Sequence, residues 1–200
     1  TAMGSSSIAS GNYSTAIGYS AIASGSVSFA IGSQTTASGQ NSTAMGTSTI
    51  ASGFFSTAMG NSNTASGMSS TAIGTNTMAT GSNTFSLGLY TIAAGYESAA
   101  MGVRSISSGD NSFAMGFHTT ARSYASIAVG RYNDSIANSN TELWVDTDPL
   151  LILGNGSFSA SHNAMVVYKN GNTDHNGFTR LGEISDGAPR IKTKKITGFN

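Results

Sequence analysis

The sequence predicts an all-β fold: a parallel β-roll, or β-solenoid, wound from 14-residue coils. Three observations carry this. Glycine recurs at 4, 18, 32, 46, 60, 74, 88, 102, 116 and 130, a period of 14 without a slip. A second series at 11, 25, 39, 53, 67, 81, 95 and 109 falls midway, so 18 of the 25 glycines lie on a seven-residue grid. The residues before each glycine are also fixed. The first series reads Ala-(Met/Ile)-Gly, as in Ala16-Ile17-Gly18 and Ala44-Met45-Gly46. The second reads Ala-Ser-Gly, as in Ala23-Ser24-Gly25 and Ala65-Ser66-Gly67.

One unit is therefore A-(M/I)-G-x-x-x-x-A-S-G-x-x-S-(T/F). Each heptad reads as a short strand plus a turn, and two of them close one coil. The repeat glycines (Gly18, Gly25, Gly32, Gly39, Gly46, Gly53, Gly60, Gly67, Gly74) supply the backbone freedom that corners need. Strands of successive coils stack about 4.8 Å apart, giving a rod on the order of 45 Å long. Coils this small enclose little volume, which accounts for alanine at both recurring strand positions. A seven-residue period also fits a coiled coil, but a glycine in every heptad costs about 1 kcal/mol of helix stability each time. The charged e and g positions of a coiled coil are missing too. A disordered Gly/Ser linker would not hold Met and Ile in register.

Side chains alternate across a strand. Around Ala30, Phe29 and Ile31 point one way and the alanine the other. The stripe through Ile17, Ile31, Met45, Met59, Ile73, Met101 and Met115 is expected to be buried, because so many large apolar side chains in water would make an unusually big patch. Either the stripe fills the coil and alanine faces a neighbour, or alanine fills the coil and the stripe faces a neighbour. Both arrangements imply an oligomer, and closed symmetry favours a ring about an axis along the rod.

Residues 1 to about 132, with the string Ser-Thr-Ala-Met-Gly…Ala-Ser-Gly, resemble the head repeats of trimeric autotransporter adhesins of the YadA-like type. The resemblance implies a left-handed parallel β-roll and a homotrimer of chains side by side. It implies an extracellular location, with an adhesive head presented on a bacterial surface to a host-surface protein or glycan receptor. Similar repeats occur in fibres of phages and related contractile injection devices. That gives an alternative role as a tail-fibre or baseplate appendage on a phage-like particle, with other fibre or baseplate subunits as partners.

The organisation reads as a repeat roll over 1–130, a connector or neck over 131–149 and a β-rich segment over 150–200. Composition changes along the chain: the first lysine is Lys169. Leu150-Leu151-Ile152-Leu153 and Ala164-Met165-Val166-Val167-Tyr168-Lys169 each end at an Asn/Gly turn and read as strands. Arg190 to Ile196 alternates weakly and reads as another. Thr1 falls inside a repeat and no anchor barrel precedes Asn200, so the sequence reads as a piece of a longer protein without membrane insertion of its own.

Charged residues make up only 9% of the chain and nine basic residues balance nine acidic ones, which argues against nucleic acid as a partner. The absence of cysteine excludes disulfides, thiol catalysis and Cys-ligated zinc. No run of 18 apolar residues is present. No nucleophile elbow or phosphate-binding loop appears, and the roll lacks the aspartate per turn of calcium-binding rolls. Glu97 and Asp110 read as solvated loop residues, Asp146-Thr147-Asp148 as a polar connector, and Arg190–Lys195 as a solvated strand face. The expectation is a non-enzymatic protein without cofactor or metal. An ice-binding threonine array is a weak third reading, because the Thr15, Thr43, Thr57, Thr71 column is broken by Phe29 and Phe85. Recognition is expected in the variable corners, where Phe54, Phe55, Tyr90, Tyr96, Phe117 and His118 are the candidate ligand contacts.

Overall fold

In the computed structural model, which describes residues 1–176, the repeat region is wound into stacked two-stranded coils. Five-residue strands such as Thr15–Tyr19, Phe29–Ser33 and Thr43–Thr47 stack into one sheet, thirteen strands wide among the described residues. Two-residue strands such as Ile22–Ala23 and Thr36–Ala37 stack into a second sheet of nine. Pairing within the coils is parallel with an offset of 14: Ala16 lies beside Ala30, Ala30 beside Ala44, and Gly18 beside Gly32. This is the expected solenoid.

Of the two arrangements open in the sequence, the structure takes the one with alanine inside. Ala16, Ala30, Ala44, Ala58 and Ala72 of the long strands, and Ala23, Ala37, Ala51, Ala65 and Ala79 of the short ones, are fully buried. The positions that face each other across the coil are filled by alanine methyl groups at nearly every rung. The stripe is thereby displaced outward, so within one chain it is not buried. Ile17 is 36% and Met115 44% exposed, and Ile31, Met45, Met59, Ile73 and Met101 are half-buried.

The rest of the interior is hydroxyl-rich. Ser28, Ser42, Ser56 and Ser112 each donate to the carbonyl of the glycine three residues earlier, at 2.5–2.7 Å, closing the second corner from inside. Ser86 and Ser107 stand in alanine columns. Each finds a hydroxyl across the coil, Thr91 at 2.8 Å and Ser112 at 2.7 Å, so neither buried oxygen is left without a partner. Asn63 donates to the carbonyls of Met59 and Gly74 and accepts from the Thr77 amide, tying its coil to the next.

The two glycine series do different jobs. Gly74 has φ +131°, a conformation L side chains rarely adopt, and a Cβ there would lie 2.0 Å from the carbonyl oxygen of Gly88. Gly67 has no such φ, yet its Cβ would lie 1.8 Å from the carbonyl oxygen of Gly81. The second series is therefore glycine for clearance between coils and not, as expected, for corner freedom. The left-handed corner residues are mostly not glycine. Tyr13, Val27, Asn41, Phe55, Ser69, Asn83 and their equivalents at the other corner repeat every seven residues with φ near +55°. For a β-branched residue this conformation is strained. Val27→Asn is expected to stabilise the chain by about 1 kcal/mol in denaturant unfolding. No gain would mean that Val27 recovers the strain through packing.

The roll does not end at 130. Leu151-Ile152-Leu153-Gly154 lies in register with Ile127-Ala128-Val129-Gly130, so the strand Pro149–Asn155 is one more parallel rung. It arrives 24 residues after the previous rung instead of 14. The extra residues form a loop that lies along the second corner, where Asp110 and Tyr124 donate backbone bonds to Thr141 and Asn140. Asp146 and Asp148 close this loop, accepting from the Trp144 indole and the Asn140 amide. Ser123, standing where the next second-series glycine was due, uses its hydroxyl to hold the Pro149 carbonyl. Strands Asn163–Tyr168 and Thr173–His175 then add antiparallel, which ends the parallel stack. The strand expected near Arg190–Ile196 lies outside the described residues.

Candidate functional site

The coils put their variable residues into two rows of corners. One row follows the long strands; the other follows Ala-Ser-Gly. The six candidate contacts divide between them. Tyr90, Phe117 and His118 lie on the first row, and Phe54, Phe55 and Tyr96 on the second. They do not form one site.

On the second row, Phe54 and Phe55 meet edge to face at 4.5 Å. Tyr96 is three coils further on, roughly 14 Å along the rod. Its amide donates to Asp110, and its hydroxyl receives Asn83 at a long 3.4 Å. Among the described residues, the polar side chains bonded to this row's candidate contacts are Asn83 and Asp110, both at Tyr96.

The first row is organised. The amides of Tyr90, Arg104, His118 and Tyr132 each donate to a backbone carbonyl of the coil below, which fixes the four residues one above another. Their side chains form a ladder. The Arg104 guanidinium lies 5.7 Å from the centre of the Tyr90 ring, within cation–π range. Its Nη1 is 3.2 Å from Nε2 of His118. His118 stacks on Tyr132 at 4.6 Å and 15°. Phe117 packs its edge on Tyr132 at 5.3 Å, and the highly exposed Phe158 continues the aromatic run. Arg131 lies 5.9 Å from the Tyr132 ring centre.

An arginine can only donate, so Nε2 of His118 is the acceptor and the proton of the neutral ring sits on Nδ1. Partial burial and the neighbouring Arg104 charge both hold the His118 pKa below its usual 6.5. The sign follows: in the pH range below 6.5 the unfolded chain takes up a proton that the ladder resists, so this group's contribution favours folding above that range and is lost on acidification. At neutral pH the row carries its charge on the two arginines.

Arg104, Arg131 and Tyr132 are not among the candidate ligand contacts read from the sequence. The signal was present: 90, 104, 118 and 132 each stand two residues after a first-series glycine. Also unforeseen is the clamp over the end of the roll, where Lys169 lies 5.0 Å from the Trp144 ring and 5.6 Å from that of Tyr124. Burial lowers the Lys169 pKa, and Asp148 partly offsets this. Among the described residues no cluster of three potential metal ligands occurs, and no helix is long and apolar enough to cross a membrane.

A stacked parallel solenoid with its variable side chains at the corners defines a β-repeat protein. The model of the YadA head domain repeat matches residues 1–21, 23–49, 51–77, 74–98, 93–119 and 107–133, well over half of the chain. The chain belongs to this family. A comparison with curated proteins finds no match.

Proposed function

We propose that the chain is a non-enzymatic segment of a homotrimeric adhesive fibre, exposed outside a bacterial cell and used for attachment to a host cell or another surface. The observation that carries this is the inverted packing of the coil. Alanine occupies the inside, and the large apolar side chains of the long strands face out. An outward face with Ile, Met, Leu or Val on every rung is suited to packing on copies of itself, and family membership supports three of them around one axis. The opposite face, on the short strands, reads Ile8, Ile22, Thr36, Ile50, Thr64, Met78, Ile92, Ile106 and Thr120, so threonine interrupts its apolar column at three of nine rungs, whereas no rung of the long-strand stripe is polar. We therefore place the long-strand sheet at the axis and the short-strand sheet outside. The burial expected of the stripe then comes from neighbouring chains.

The test has two parts. Light scattering should give a native mass near three times 20.2 kDa. Beads coated with the assembled chain should attach to cultured cells or matrix-coated surfaces where uncoated beads do not. A monomeric mass would overturn the packing, and a trimer that attaches to nothing would overturn the role.

A further inference from the structure

The first row of corners borders a groove of about 310 Å³ lined by Ser62, Thr64, Asn76, Met78, Tyr90 and Ile92. It crosses three coils. Met78 and Ile92 give it an apolar floor, Ser62 and Asn76 a polar rim, and Tyr90, half exposed, a flat aromatic wall. An apolar patch beside an aromatic face, edged with hydroxyl and amide groups, suits a sugar ring, which has a C–H face and a hydroxyl rim. Beyond Tyr90 the groove meets the ladder, where Arg104 lies over that same ring. Arg131 stands two rungs further, since Val103 pairs with Phe117 and Phe117 with Arg131. Two rungs are roughly 10 Å, close to the span of one disaccharide.

Charge narrows the ligand further. No carboxylate of the described residues is a hydrogen-bond partner of Arg104 or Arg131; the recorded neighbours of their guanidiniums are His118 and the tyrosine rings. A guanidinium presents paired donors that match a carboxylate. Two cations along this stretch fit a sparse, regular negative charge. Dense phosphates or sulfates would call for a more basic surface.

We propose that this edge binds an acidic polysaccharide carrying one carboxylate per disaccharide, with a sugar ring in the groove against Tyr90, its carboxylate on Arg104 and the next carboxylate on Arg131. The inference deepens the attachment reading above and rests on it. The groove lies on the short-strand side, which that reading leaves facing outward.

The experiment uses the full chain and immobilised octasaccharides. A hyaluronan octasaccharide, charged through carboxylates alone, is expected to bind. Arg104→Gln and Tyr90→Ala should each weaken binding about tenfold or more, whereas Arg122→Gln, at the other corner, should leave it unchanged. Failure of the wild type to bind overturns the inference, as does undiminished binding by Arg104→Gln. Tighter binding of a heparin octasaccharide or of single-stranded DNA also overturns it. Native mass and bead attachment are measured on the same samples. A trimer that attaches to surfaces but ignores the octasaccharide refutes the ligand and leaves the attachment role standing. A trimer that does neither refutes both.

Discussion

Gly74→Ala is expected to abolish folding of the roll, and Gly67→Ala to do nearly the same for a different reason. At Gly74 the new methyl group meets backbone at 2.0 Å and the residue must also hold φ +131°. At Gly67 there is no φ penalty, only a methyl group 1.8 Å from the Gly81 carbonyl oxygen. The obstacle in both cases is main chain locked into the parallel ladder, so relief requires separating two coils. Loss of about 4 kcal/mol or more is expected at each site, in the range reserved for severe backbone clashes. Gly171→Ala is the contrast. It has φ +85° but nothing within 4 Å of the added carbon, so only the conformational term of about 1 kcal/mol remains. Circular dichroism melts of the three variants separate the explanations. A Gly67→Ala protein melting with the wild type would show that neighbouring coils part easily, and the clearance argument would fail.

The contrast explains which parts of the architecture the sequence reveals. Period, strand placement and stacking were legible because one short unit recurs with so few slips that any other periodicity is excluded. The job of each glycine was not, since clearance and left-handed φ leave the same letter in the sequence. The left-handed corners at Tyr13, Val27 and Phe55 were hidden because residues of every kind occupy them. The side on which Met and Ile lie could not be read from alternation, which is symmetric; the narrowness of the coil decides it. The rung at Pro149–Asn155 escaped because Leu-Ile-Leu-Gly replaces Thr-Ala-Met-Gly and arrives late. Ile152 fits where alanine stood because the end of the roll opens toward Val166 and Tyr168. Aromatic character at a corner marks Tyr90, Phe117 and His118 but not Arg104, which connects two of them, because the ladder is a property of the column and not of residue type.

A triple substitution of the stripe, Met45→Gln, Met59→Gln and Met115→Gln, is expected to turn a trimer into folded monomers. Glutamine has nearly the shape of methionine, and these side chains are half-buried or exposed on a single chain, so the coil itself loses little. In an assembly packed on this face, each methionine forfeits roughly 1.5–3 kcal/mol of burial, and the loss recurs in every chain. Light scattering should fall toward 20.2 kDa while the β-sheet circular dichroism signal persists. The matched control is Ile50→Thr, Met78→Thr and Ile92→Thr on the short strands. Threonine already occupies this column at 36, 64 and 120, and Ile50 and Met78 are 42% and 40% exposed. These changes remove comparable apolar surface from the other face and should leave the mass at three chains. The opposite pattern would put the short-strand sheet at the axis. It would also bury the groove beside Tyr90 against a neighbour, so the same pair of variants decides whether that groove is open to a ligand. Ala58→Gln guards against misreading a simple collapse. Its side chain must enter a fully buried methyl-sized space, so it should lose the β-sheet signal together with the mass, whereas an interface variant loses the mass alone.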